Sequence, residues 1–326
     1  MSLLVSRKYY AMALAAGLAV TALPASSQTY PSGPVHLVVA YSAGGTGDVV
    51  ARTIAPKLSI ALGQSVIVEN RAGASGAIGA RSVVSATPDG LTLLVGQTAE
   101  VAINQHWLKG LNFDPDKDLQ PVALLAIVPL ALVVPAKAPY SNMAEFLAAL
   151  KTGEHTFASA GTGTPGHFAG ELLKAKTKSN LTHVPYKGAG PALNDLIGAH
   201  VDLYFPGMPA AMPLLKSGLV KVLSVSTAKR SGIAPDVPTV AETAGIKDFD
   251  FSLWAGVFAP HGTPPAIVAR LNTEINKVLD DPETRQRLVE AGAEVEAMSV
   301  DQFRAFVDAE SSKYLRIIKE PGVTAE

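Results

Sequence analysis

Cysteine is absent from this chain. That removes disulfides, cysteine-ligated zinc and thiol nucleophiles together, and it excludes lipid attachment to a cysteine near the N-terminus. No large excess of charge of either sign exists: the formal net charge is −1, far from the basic balance of a nucleic-acid binder. Beyond the N-terminus no apolar run is long enough for a transmembrane helix. The seven histidines are scattered and form no metal-ligand spacing. No G-x-S-x-G elbow, Walker A lysine loop or H-E-x-x-H pair occurs. Gly161-x-Gly163-x-x-Gly166 fits a dinucleotide fingerprint by letter. Pro165 occupies its middle, however, and no Asp or Glu stands about 20 residues on, where a ribose partner belongs. A positive case for an enzyme, a cofactor or a metal is therefore missing.

What is present begins with an address. Arg7 and Lys8 precede an apolar run from Ala11 to Leu23, and Ala25-Ser26-Ser27 offers small residues before Gln28. The run is short for a membrane span. The layout predicts a signal peptide over 1–27, export to the periplasm and a mature N-terminus near Gln28. Residues 1–27 hold two positive charges and no acid, so the mature chain is slightly more acidic. Apolar residues make up 48%, enough for two cores in a chain of this length.

Strands and helices alternate almost throughout, which predicts α/β layers with mainly parallel sheets. Two glycine-rich turns stand out, each after a short apolar run and before a helical pattern: Ala40 to Asp48, and Ala158 to His167. Glycines let a backbone turn sharply, and the following helix start adds partial positive charge. Such turns bind anions without a charged side chain. Two of them point to one small anionic ligand between two lobes. Apolar crossovers near 122–134 and 251–258 make the second lobe an insertion. The expected division is 28–128 plus 253–326 for lobe 1 and 129–252 for lobe 2.

Further pieces occur in order: Asn70-Arg71-Ala72-Gly73-Ala74, Pro88-Asp89-Gly90, His183 to Gly188 with Pro191, Val201-Asp202, and Trp254-Ala255-Gly256 through Pro264. With the first turn, this set resembles the solute-binding receptors of tripartite tricarboxylate transporters, the Bug receptors, over essentially all of the mature chain. The resemblance implies a two-lobed periplasmic binding protein of type II-like fold, with hinge crossovers and a cleft that closes on a small carboxylate for a membrane permease. A sensor kinase as the membrane partner is the alternative. A monomer is the default. In one departure, Ala40-Tyr41 stands where the family usually has Pro-Phe, which adds a tyrosine hydroxyl at the cleft.

The resemblance also implies binding residues. Backbone N–H groups near Ser42, Ala43 and Gly44 would hold one carboxylate, beside Tyr41. Gly161, Thr162, Gly163 and Thr164 would reach it from the other lobe. Gln97 and Thr98 end a strand, where α/β sheets place ligands. Other candidates carry two readings each. Asp48 binds an ammonium group or steadies its helix start. His167 contacts ligand or caps. Lys187 pairs with a distal carboxylate or is solvated. Tyr186 touches ligand or packs. Asp202 points into the cleft or serves a turn. Trp254 is hinge core or pocket wall.

Overall fold

The computed structural model describes residues 30–247 and 249–319. The expected signal segment and its cleavage point lie outside the described residues. Two five-stranded mixed sheets organise the chain. The first runs in the order β2 (Val66–Asn70), β1 (Val35–Val39), β3 (Thr92–Gln97), β10 (Ser252–Pro260) and β4 (Leu119–Pro129). The second runs β7 (Leu181–Pro185), β6 (His155–Ser159), β8 (Leu203–Tyr204), β5 (Ala131–Pro135) and β9 (Val220–Val225). In each sheet the strand after a glycine-rich turn's helix lies parallel to the strand before it: β1 with β2, and β6 with β7. A right-handed crossover helix is the connection such pairs need.

Local sequence explains the first of these helices, α1 (Thr46–Leu62). Val50, Ile54, Leu58 and Leu62 recur at helical spacing and are all buried. Gly63 stops the helix at φ 70°, its N–H returning to the Ser59 and Ile60 carbonyls, a left-handed cap that glycine adopts without strain. The stripe packs on Val35, Leu37 and Val39 of β1 in the core of the first lobe.

The lobes meet at a hinge. The expected apolar crossover at 122–134 becomes two strands, one in each sheet, turning at Leu130. Leu130 N donates to Ser226 Oγ at 3.2 Å, and that hydroxyl donates to Phe251 O at 2.5 Å with Leu130 O also 3.1 Å away, so one side chain ties both crossings. Trp254 is hinge core. It is fully buried against Phe258, Phe303 and Phe306, with Nε1 donating to Glu310 at 3.1 Å. The C-terminal helix Val300–Ile318 returns to the first sheet through Phe303 and Val307, then crosses to put Tyr314 into the second core beside Phe168.

Candidate functional site

Four helices start at the gap between the sheets: α1, α2 (Pro165–Thr177), α3 (Ala189–Ile197) and α4 (Met208–Lys216). Their caps are Gly45, Thr164, Gly188 and Gly207, and no side chain caps any of them. Uncapped first-turn N–H groups and the helix dipole favour an anion. Residues from all four starts border one pocket. The remaining wall includes Tyr41, Gln97, Leu130, Tyr204, Phe205 and Leu253, and no charged side chain lines it.

Tyr204 is a candidate side-chain donor. It is 2% exposed and lines the cavity. Its hydroxyl bonds no described residue, and burial alone pushes its pKa up, which keeps the proton in place. Thr46 and Gln97 add a hydroxyl and a carboxamide to the lining.

Several N–H groups of the glycine turns already have partners inside the turns. Gly44 N donates to Asp48 at 3.0 Å, and Arg52 holds the other carboxylate oxygen at 2.8 Å. Gly45 N donates to Ser42 O at 3.3 Å. Gly161 N donates to Ser159 Oγ at 3.1 Å, and Gly163 N to His167 Nδ1 at 3.1 Å. Those N–H groups are taken within the turns, whereas Ser42 Oγ is buried with no partner among the described residues. The glycines let the lobes approach. A Cβ at Gly161 would meet Ser75 Oγ at 2.7 Å, one at Gly188 would meet Ser42 Oγ at 2.4 Å, and one at Gly207 would meet Thr46 Oγ1 at 2.4 Å.

Of the residues expected from sequence, Tyr41, Gln97 and Thr164 line the cavity. The Tyr41 ring does so, but its hydroxyl turns away to Ser75 O and Glu100. Ser42, Ala43, Gly161, Thr162 and Gly163 sit at the seam between lobes, and Gly44 is exposed, with nothing within 4 Å of a Cβ there. Thr98 Oγ1 accepts from Trp254 N at 3.0 Å and belongs to the hinge. Asp48 and His167 brace the two turns. Tyr186 donates to Asp195 at 2.6 Å, and Lys187 is exposed. Asp202 lies at the far end of the second sheet, accepting from Thr156 N at 2.7 Å. Sequence reasoning passed over Thr46, Tyr204, Phe205 and Gly207. The signal was there: Tyr204-Phe205 ends a strand before Pro206-Gly207, the same strand-then-glycine pattern as the two turns.

Comparison with known proteins agrees with this geometry. The family described as Tripartite tricarboxylate transporter family receptor matches residues 50–323. The chain belongs to that family. BugT of Bordetella pertussis is 35% identical over 304 residues, covering 92% of this chain and 93% of BugT. Among solved structures, the periplasmic binding protein BugD has a TM-score of 0.85 at 34% identity, over 91% of this chain and 100% of BugD. An R. palustris protein with adipate has a TM-score of 0.85 at 35% identity, over 89% of this chain and 97% of that one. MatC from Rhodopseudomonas palustris with bound malate has a TM-score of 0.83 at 34% identity, over 89% of this chain and 100% of MatC. Members of this receptor family are solute-binding proteins rather than enzymes, and the two sheets with a cleft between them are the fold they share.

Proposed function

We propose that this chain is a periplasmic receptor that closes on a small carboxylate and presents it to a tripartite tricarboxylate-type permease. One observation carries the reading: four uncapped helix starts border one pocket between the lobes, with no charged side chain among its described lining residues. Aligned peptide dipoles can hold a carboxylate there without a lysine or arginine. The adipate and malate found in the two R. palustris relatives support the same ligand class. The family to which the chain belongs supports the permease and the compartment. Contacts come from both lobes, so ligand favours the closed state by its differential affinity.

The test is a melting screen of ligand-stripped protein against di- and tricarboxylates, amino acids, aromatic acids and the matching esters. A ligand that binds only the folded state raises its stability by mass action, by about 2.7 kcal/mol at a hundredfold excess over Kd. One class of acid is expected to raise Tm while its esters do not. In the same assay Tyr204→Phe is expected to melt normally without ligand, since its hydroxyl bonds no described residue. It should lose about tenfold or more in affinity, the cost of one hydrogen bond to a charged group. An ester that stabilises as well as its acid would overturn the reading.

A further inference from the structure

Behind the cavity wall, Tyr41 Oη lies 3.1 Å from Ser75 O and 3.0 Å from Glu100 Oε2. A tyrosine hydroxyl has one proton to donate. Ser75 O can only accept, and so can an ionised carboxylate. With Glu100 ionised, one proton faces two acceptors in a dry space, and one contact goes unpaired. With a proton on Glu100 the chain closes: Glu100 donates to Tyr41, and Tyr41 donates to Ser75. Glu100 Oε1 still accepts from Gln97 N at 2.7 Å.

The chain ends on a contact between lobes. The Ser75 carbonyl also takes Asn104 Nδ2 at 2.8 Å, and Ser75 Oγ donates to Thr162 O at 2.6 Å across the cleft. Ala74 and Ser75 hold φ of 48° and 50°, a left-handed backbone that non-glycine residues adopt only when neighbours hold them. The bonds on Ser75 O are those neighbours.

We propose that Glu100 is a positioning residue that carries a proton at neutral pH and, through Tyr41, holds Ser75 as the latch of the closed cleft. The proposal rests on the receptor reading above and adds a control to the same site. Tyr41 is the titratable group that faces Glu100. Gln97 meets it through its backbone N–H, and Gly76 has no side chain to present. The C-terminal helix, packed on the same turn, directs Glu310 to Trp254 and Lys313 at 3.1 and 2.7 Å instead. The nearby turn Pro115–Asp118 has Lys117 paired with Asp114. Burial pushes the Glu100 carboxyl up to about 8. A folded-state value above the ordinary one means that the protonated form's contribution is complete below about pH 4.5 and is lost as pH rises through about 8.

Glu100→Gln keeps an acceptor for Gln97 N and gives Tyr41 a permanent donor. Without ligand, at about pH 7, the infrared spectrum of the wild type is expected to show a protonated carboxyl band that is missing from Glu100→Gln and disappears at about pH 9.5. Adipate affinity of the wild type should fall about tenfold between those pH values, and that of Glu100→Gln should stay within about twofold. Absence of the band, or equal pH slopes in the two proteins, would overturn the proposal. The receptor reading fails differently: no carboxylate stabilises the wild type at any pH, whatever the infrared spectrum shows.

Discussion

Gly163→Val is expected to abolish ligand binding while both lobes stay folded. Gly163 sits at φ 82°, where a β-branched residue is strained, and a Cβ there would meet Trp107 Cδ1 at 2.9 Å and Nε1 at 3.4 Å. Trp107 is already packed on one side. Its ring stands edge-on to Phe168 with centroids 4.9 Å apart and contacts His167 at 6.0 Å. Valine's two methyl groups would thus prop the second turn off the first lobe. Trp107 comes from the 28–128 segment but packs on the second core, so the damage falls on how that segment seats against the second turn. A ligand gains only from contacts that exist in the closed state. Calorimetry should show at least about a hundredfold loss of affinity, roughly 3 kcal/mol. The stability cost should be about 1–3 kcal/mol from the backbone strain. Gly153→Val is the control, because Gly153 has φ 85° with nothing within 4 Å of a Cβ. It should pay similar strain and bind normally. Retained affinity in Gly163→Val, or equal losses in both variants, would show that the turn does not have to seat on Trp107.

The two-sheet plan was legible because its signals are local. Val50, Ile54, Leu58 and Leu62 announce a helix with one buried face, and Gly63 announces its end. The apolar stretch at 122–134 could only be buried, and it serves both sheets. The position of the cleft was legible for the same reason, since strand, glycine turn and helix start follow one another in sequence. Which atoms face the cavity was not. Gly163 N looks free in sequence but is taken by His167, four residues on, in the first turn of α2. The Tyr41 hydroxyl is claimed by Glu100, 59 residues away. Tyr204 is the proposed donor because its hydroxyl bonds no described residue. Such outcomes depend on where several distant elements converge, and one chain's spacing does not encode them. Trp254 illustrates the limit: an indole on a crossover fits hinge and pocket equally until Phe303, Phe306 and Glu310 arrive from the last helix.

Acidification from about pH 7 to about pH 5 is expected to loosen the second turn and weaken the protein. His167 Nδ1 accepts the Gly163 N–H, so that nitrogen is unprotonated. His183 Nε2 contacts Ser159 Oγ at 2.6 Å, and that oxygen in turn accepts the Gly161 N–H. The two rings lie 4.2 Å apart. Burial drives both imidazoles down, His167 to about 3, with His183 and Lys174 adding to the effect, and His183 to about 4, with Lys174 adding. In the unfolded chain a histidine titrates near its ordinary value of about 6.5. The unfolded state therefore binds more protons below that value, and stability falls as pH falls. The contribution is complete above about pH 6.5 and drains away toward about pH 3 to 4. At about pH 5 the linkage amounts to roughly 2 kcal/mol for each histidine, because both stay neutral in the folded state while the unfolded chain takes up protons. His167→Asn keeps an acceptor for Gly163 N, and His183→Gln keeps a partner for Ser159, and neither titrates. Denaturant melts at the two pH values should show a drop in the wild type that the double variant largely lacks. A double variant that loses stability as steeply as the wild type would place the acid sensitivity elsewhere. Affinity should follow the same pattern, because the turn that the histidines brace is the one that seats on Trp107 and Ser75.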